Sequence, residues 1–272
     1  MQPSQGVLFA ALAVPFLAAA ITPLLYRTLG ERVAYFAAGV AALAFGLIAS
    51  QFASEGAVAI SWIPALDVSL SLYVDGLSLL LGLIVSGIGV LIFTYSAAYM
   101  HAEPGKAKFY TTMLVFMGAM LGVAFAADLI ALFVFWELTS ISSFVLIGHY
   151  QDRESSQYAA RKAMFITVSG GLFMLVGFLL LFVVSGDALG ASTFQLVGTD
   201  GALIENAAAM QEGLRSAGLF VPVLLLLAIG AAAKSAQVPL HIWLPNAMEA
   251  PTPVSAFLHS ATMVKAGVYL VG

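Results

Sequence analysis

The chain has 272 residues, no cysteine, ten Lys and Arg, fourteen Asp and Glu, and 61% hydrophobic residues. Charged residues make up 9%, against about 25% in a soluble domain, so there is too little polar material to cover a water-soluble fold. A net charge of −4 with no basic stripe excludes a dedicated nucleic-acid binder. The lack of cysteine excludes disulfide scaffolds, thiolate metal sites and cysteine catalysis. What remains is an all-α polytopic membrane protein.

A helix crossing the hydrocarbon core needs roughly 20 mostly apolar residues. Windows of that length predict eight transmembrane helices, at 6–26, 32–53, 76–100, 109–127, 129–149, 159–185, 218–238 and 252–272. The first contains Ala18-Ala19-Ala20, which resembles a signal cleavage site. No positive charge precedes it and the apolar run continues, so it reads as a retained helix. Residues 58–75 alternate apolar and polar positions in places and predict a short hairpin. Residues 186–217 are long and mixed, with a surface helix expected at 203–215. Tyr26, Tyr99, Tyr110 and Tyr150, near span ends, read as interfacial anchors. Gly118-x-x-x-Gly122 and the run from Gly82 to Gly89 read as helix-packing devices.

The loop charges are lopsided. Arg27, Arg32, Lys106, Lys108, Arg153, Arg161 and Lys162 fall on one side of the alternation, and only Arg215 on the other. This positive-inside bias predicts a multi-pass protein of the cell membrane with its N-terminus and hairpin outside.

Ionisable residues within spans are informative, because each costs about 2.5–3.5 kcal/mol at a helix centre. Glu137 lies in the middle of the fifth span with nothing nearby in sequence to neutralise it, so it must face other helices or internal water. Lys234 lies in the seventh, and Gln237 and His241 follow at positions of the same helix face. Pro239 is expected to break that helix, having no N–H and clashing with the Ser235 carbonyl. A broken helix at membrane depth is tolerated only where it is buried in protein or lines a wet cavity, and transporters place such breaks beside ions and protons. The eighth span opens with Thr252 as N-cap and Pro253 at the first helical position. It carries His259 and Lys265, which an α-helix would hold about 9 Å apart along its axis and roughly 120° apart around it.

Two readings stand. In one, Glu137, Lys234, His259 and Lys265 form a proton or ion pathway, with Ser140, Gln237, His241 and Thr262 as secondary members. In the other, Glu137 and Lys234 are a structural ion pair, His259 bonds a neighbouring carbonyl and Lys265 snorkels to the interface. Asp128, between two spans, reads as interfacial. There is no H-E-x-x-H, P-loop or dinucleotide fingerprint, and the four histidines are scattered, so neither cofactor nor metal is expected.

The segment from Gly230 to Gly267 carries Lys234, Pro239, His241, Trp243, Pro245, Glu249, Pro251, Pro253, Ser255, His259, Thr262 and Lys265 in order. It resembles the signature of the proton-translocating antiporter family. That family joins the large subunits of Mrp-type sodium/proton antiporters to the antiporter-like membrane subunits of respiratory complex I. Phe135-Trp136-Glu137-Leu138-Thr139-Ser140 resembles the family's fifth-helix motif, and Leu72-Tyr73-Val74-Asp75-Gly76-Leu77-Ser78 its third-helix entrance.

The resemblance implies a secondary-transporter subunit rather than an enzyme, exchanging sodium and protons in the bilayer beside other small hydrophobic subunits. It implies that Glu137 is the key glutamate, Lys234 the lysine paired with it, His259 the relay histidine and Lys265 the lysine that continues the pathway. Many complex I members carry an arginine and an aspartate in the sixth helix. The matching stretch here, Thr167-Val168-Ser169-Gly170-Gly171, has neither. That favours the large A subunit of the Mrp branch, with a proton-pumping subunit of a redox-driven complex as the alternative. Family members have about fourteen spans in which two five-helix units are inverted repeats. By that pattern residues 1–108 are three N-terminal helices with the hairpin, 109–272 are the first unit, and the second unit lies outside this chain.

Overall fold

Helices dominate because lipid offers no hydrogen bonds and a helix satisfies its own amides. The computed structural model describes residues 2–64, 68–198 and 201–271. Its helices are α1 (Gln5–Leu29), α2 (Val33–Ala49), α3 (Gly76–Tyr99), α4 (Lys106–Phe125), α5 (Leu129–Ile147) and α6 (Glu154–Leu189). These are followed by α7 (Ala207–Ser216), α8 (Phe220–Lys234), α9 (Leu244–Ala247), α10 (Thr252–Val254) and α11 (Met263–Val271). A π-helical segment, Ser255–Thr262, joins the last two.

Among the described residues, six segments are long and apolar enough to cross a membrane: Gln5–Ala49, Gly76–Tyr99, Lys106–Phe125, Leu129–Ile147, Glu154–Leu189 and Thr252–Val271. A seventh is added if α7 and α8, bent by 112° at their junction, count as one span. The chain is a multi-pass membrane protein, mostly helical. Gln5–Ala49 holds two helices that pack against each other across a 3-10 turn at Gly30–Arg32.

The hairpin predicted at 58–75 is β1 (Gly56–Ile63) paired antiparallel with β2 (Val68–Val74), with Gly56 opposite Val74 and Ser61 opposite Ser69. Residues 65–67 of that expectation lie outside the described residues, as do 199–200 of the long connection and 272 of the last span. The surface helix expected at 203–215 begins later, at Ala207.

At the centre stands α4, buried at every residue from Phe116 to Phe125 and surrounded by α1, α3, α5 and α11. Its small residues take aromatic rings rather than a second backbone. A Cβ on Gly118 would come within 2.9 Å of the Phe16 ring, and one on Gly122 would overlap Phe135. Those two rings stack on each other at 6.4 Å. Tyr110 corrects the sequence expectation: it is buried rather than interfacial, because the α4 face that carries it is covered by α3. Its ring meets Phe93 at 6.5 Å and Phe109 edge-on at 5.1 Å.

Asp128 is also corrected, from interfacial to fully buried. Its Oδ1 caps α5 by accepting from the Ile130 and Ala131 N–H groups, at 2.8 and 3.0 Å. Its Oδ2 accepts from Gln195 Nε2 at 3.0 Å and the Ser69 N–H at 3.3 Å. One carboxylate therefore ties the hairpin, α5 and the segment after α6 together, and its charge is spread over several donors, which makes burial tolerable.

Candidate functional site

The seventh predicted span is interrupted, but not by the residue the sequence points to. α8 ends at Lys234. The Gln237 N–H bonds the Ala232 carbonyl at 2.9 Å, the Ala236 N–H bonds the Ala233 carbonyl at 3.4 Å, and Ala236 has φ 52°. Those two bonds and the left-handed residue make a Schellman ending. Alanine occupies the place glycine usually takes, at a cost of roughly 1–2 kcal/mol. The helix has stopped before Pro239 can clash with it, so the proline prevents resumption rather than causing the break.

Beyond the break, a 3-10 turn at Leu240–Trp243 leads into α9. Trp243 Nε1 reaches back to the Ala233 carbonyl at 2.9 Å, satisfying an acceptor that the helix end leaves open. Lys162 Nζ donates to Asn246 Oδ1 at 2.8 Å and Ser155 Oγ to Glu249 Oε2 at 3.0 Å, which fastens the irregular stretch to the start of α6. Because the helix ends at Lys234, Gln237 and His241 share no helix face with it, and both are exposed. The expectation that they extend its face is corrected.

Lys234 is fully buried. Its Nζ donates to the Trp136 carbonyl at 2.7 Å and to Ser140 Oγ at 2.6 Å, and lies 5.0 Å from the Trp136 ring centroid. Residues 136 and 140 stand one above the other on α5, so a single helix face presents both oxygens. The lysine also closes the last turn of α8, where the carbonyl end of the helix dipole favours a cation.

Glu137, one residue on, faces a different neighbour. Its Oε1 is buried without a hydrogen-bond partner and is turned against α6, where a Cβ on Gly171 would overlap it. Among the described residues Glu137 and Lys234 form no ion-pair contact, although each feels the other's charge. The direct pair expected from the sequence is replaced by two charges flanking Trp136, with neutral oxygens holding the lysine.

Ser255–Thr262 winds in the π register, and Thr262 Oγ1 donates to the Phe257 carbonyl five residues back at 2.7 Å. The α-helical spacing expected between His259 and Lys265 does not hold across it. His259 is 7% exposed, neither ring nitrogen has a partner, and the ring packs at 5.8 Å against Trp243. Lys265 lies on the exposed side of α11, beside Leu80, Ile84 and Val268. Thr252 is not the N-cap: Pro251 precedes the helix, and the Thr252 hydroxyl instead meets the Tyr99 hydroxyl at 3.3 Å. The structure thus gathers Glu137, Ser140 and Lys234, connects His259 to them through Trp243, and leaves Gln237, His241 and Lys265 outside that cluster.

Four glycines and two tryptophans complete the site, and the sequence reading passed over their part in it. A Cβ on Gly170 would overlap Ala233, one on Gly230 would come within 2.6 Å of Met174 Cβ, and one on Gly267 would overlap Ser235 Oγ and the Ala231 carbonyl. They let α6, α8 and α11 close around the break. The Gly170-Gly171 pair in mid-span was a visible signal; Trp136 and Trp243 gave none until their neighbours were known.

Residues 126–272, more than half of the chain, match the family model described as NADH:quinone oxidoreductase/Mrp antiporter, TM. The chain belongs to this family. Residues 60–110 match a second model, NADH-ubiquinone oxidoreductase (complex I), chain 5 N-terminus. The chain is 46% identical over 264 residues to the large A-type polypeptide of the Na(+)/H(+) antiporter of Alkalihalophilus pseudofirmus, covering 94% of this chain and 31% of that one. It is 42% identical over 273 residues to the A1-type polypeptide of the Na(+)/H(+) antiporter of Staphylococcus haemolyticus, covering 98% and 32%. It therefore spans about a third of the length of these curated relatives. A chain of the Mrp complex from Dietzia sp. is 36% identical with TM-score 0.77, over 97% of this chain and 27% of that one. A chain of the membrane-bound sulfane sulfur reductase, an archaeal respiratory membrane complex, shares the fold at TM-score 0.80 and 24% identity, over 98% and 52%.

Proposed function

We propose that this chain is part of the large membrane subunit of a multisubunit sodium/proton antiporter, a secondary transporter of the cell membrane, and that Lys234 is its proton-exchanging group. The observation that carries the reading is a buried lysine at the end of a broken helix, held by two neutral oxygens, with a carboxylate close by but not bonded to it. An amine held this way gains or loses a proton without breaking an ion pair. A buried pair in direct contact resists the same change, because removing one charge strands the other. Glu137 supplies the field that favours the protonated state.

The proton passes from Lys234 past Trp243 to His259, whose ring nitrogens are free to take it, and Lys265 continues the path towards a neighbouring unit or subunit. Residues 109–272 form one five-helix transport unit and 1–108 its three-helix flank. We read eight crossings, with α1 and α2 as two, because 45 residues in one straight helix would run about 67 Å, more than twice the hydrocarbon core. The N-terminus and hairpin face outward on the loop-charge bias.

Lys234→Ala in the complete complex, reconstituted in vesicles with an internal pH dye, is expected to abolish sodium-driven proton movement while the protein still inserts. Near-normal exchange in that variant reduces Lys234 to a packing role.

A further inference from the structure

A cavity of about 250 Å³ opens beneath the hairpin and descends between α4, α5 and α11, with Tyr73, Asp75, Ala124, Trp136, Ile204 and Tyr269 among its walls. Water occupies about 30 Å³ per molecule in the liquid, so the space holds a hydrated ion rather than a single solvent molecule. Two features give it a sign. Asp75 supplies a carboxylate to the wall, and among the described residues no lysine, arginine or histidine lines the space. The C-terminal end of α4 forms another wall, where the last carbonyls lack helical partners and the dipole is negative. The Tyr269 hydroxyl donates to one of them, the Ala124 carbonyl, at 2.7 Å, leaving its own oxygen available as an acceptor.

Trp136 also lines this space. It is fully buried, its Nε1 has no partner, and Lys234 Nζ lies 5.0 Å from its ring centroid. A single aromatic residue therefore borders both the negative cavity and the buried lysine.

We propose that this cavity is a vestibule for a small monovalent cation such as sodium, reached from the hairpin face, and that Trp136 separates the bound ion from the proton on Lys234. The inference rests on the antiporter reading above and adds the place where the exchanged cation binds. Positive charges on the two sides of one ring repel, so arrival of the ion favours departure of the proton, and protonation of Lys234 favours release of the ion. That reciprocity is what an exchanger requires.

The test places single cysteines in a chain that has none, within the complete complex. Leu132 and Ala266 line the cavity but are 4% and 0% exposed, whereas Ile204 on the rim is 56% exposed. From the hairpin face, Leu132→Cys and Ala266→Cys are expected to react with the cationic 2-aminoethyl methanethiosulfonate roughly tenfold or more faster than with its anionic sulfonatoethyl counterpart. Sodium is expected to slow that reaction, and Asp75→Asn to remove most of the preference. Asparagine caps a helix about as well as aspartate, so this variant keeps the start of α3. It is also expected to raise the sodium concentration for half-maximal exchange several-fold.

Silence at Leu132→Cys and Ala266→Cys while Ile204→Cys reacts overturns the vestibule, as does equal reaction with both reagents. Reaction of all three from the opposite face, with the cationic preference intact, upholds the vestibule and overturns the assigned orientation. Because labelling does not depend on transport, failure of the antiporter reading in the Lys234→Ala assay is told apart from failure of the vestibule.

Discussion

Lys234 keeps its head group inside a wall of helices by donating to a backbone carbonyl and a serine hydroxyl rather than to a carboxylate. Glu137 then acts across space. Unit charges on neighbouring helices, about 8 Å apart, interact by about 2 kcal/mol at an effective dielectric of about 20. Glu137→Gln keeps the shape and removes the field, so proton-coupled exchange is expected to slow by roughly an order of magnitude. Exchange at the unmodified rate, measured in the same vesicles, removes Glu137 from the mechanism. His149 offers a separate handle, beyond the end of α5. It is 8% exposed, its Nε2 lies 3.1 Å from the Pro104 carbonyl, and burial holds its pKa below the ordinary value, against the opposing effect of that carbonyl. The unfolded chain therefore binds a proton that the folded chain refuses. Stability is fully present above the ordinary histidine pKa of about 6.5 and falls as pH drops below it. His149→Gln is expected to flatten that slope in thermal unfolding measured at successive pH values.

At the scale of elements, the glycines around the helix break divide by what a new methyl would strike. On Gly171 it would meet the far end of the flexible Glu137 side chain, but on Gly267 it would meet the carbonyl carbon and oxygen of Ala231. A side chain swings aside cheaply, whereas two helix backbones must separate. Gly171→Ala is therefore expected to leave thermal stability nearly unchanged while reducing exchange, because it displaces the carboxylate. Gly267→Ala is expected to cost about 1–3 kcal/mol of stability, the usual effect of overpacking. The reverse ordering of the two unfolding temperatures would contradict the assigned packing of α11 on α8.

At the scale of the whole molecule, the claim most open to direct test is orientation. Ser192 follows α6 on the hairpin side and Ser155 begins α6 on the opposite side, and both are exposed. A membrane-impermeant maleimide applied to intact cells is expected to label Ser192→Cys and not Ser155→Cys. The opposite pattern would invert the protein in the membrane and with it the side from which the cavity opens.

The membrane class, the helical windows, the hairpin and the identity of the buried charges were legible in the sequence, because each depends on local composition. Nine per cent charged residues leave no soluble fold, and a Glu or Lys in an apolar window is anomalous wherever the chain goes. Local pattern failed where a partner from a distant segment decides the outcome. Pro239 looked like the break, yet the backbone turns at Ala236, where its own bonds to Ala232 and Ala233 and the Trp243 indole satisfy the helix end. Tyr110 and Asp128 looked interfacial until α3 covered one and the hairpin and Gln195 enclosed the other. A Glu–Lys pair looked direct because sequence gives charge but not direction. Which face of α5 meets α8 and which meets α6 is set by glycine-lined helix contacts, and these turned Glu137 towards Gly171 while leaving Lys234 to the oxygens of Trp136 and Ser140.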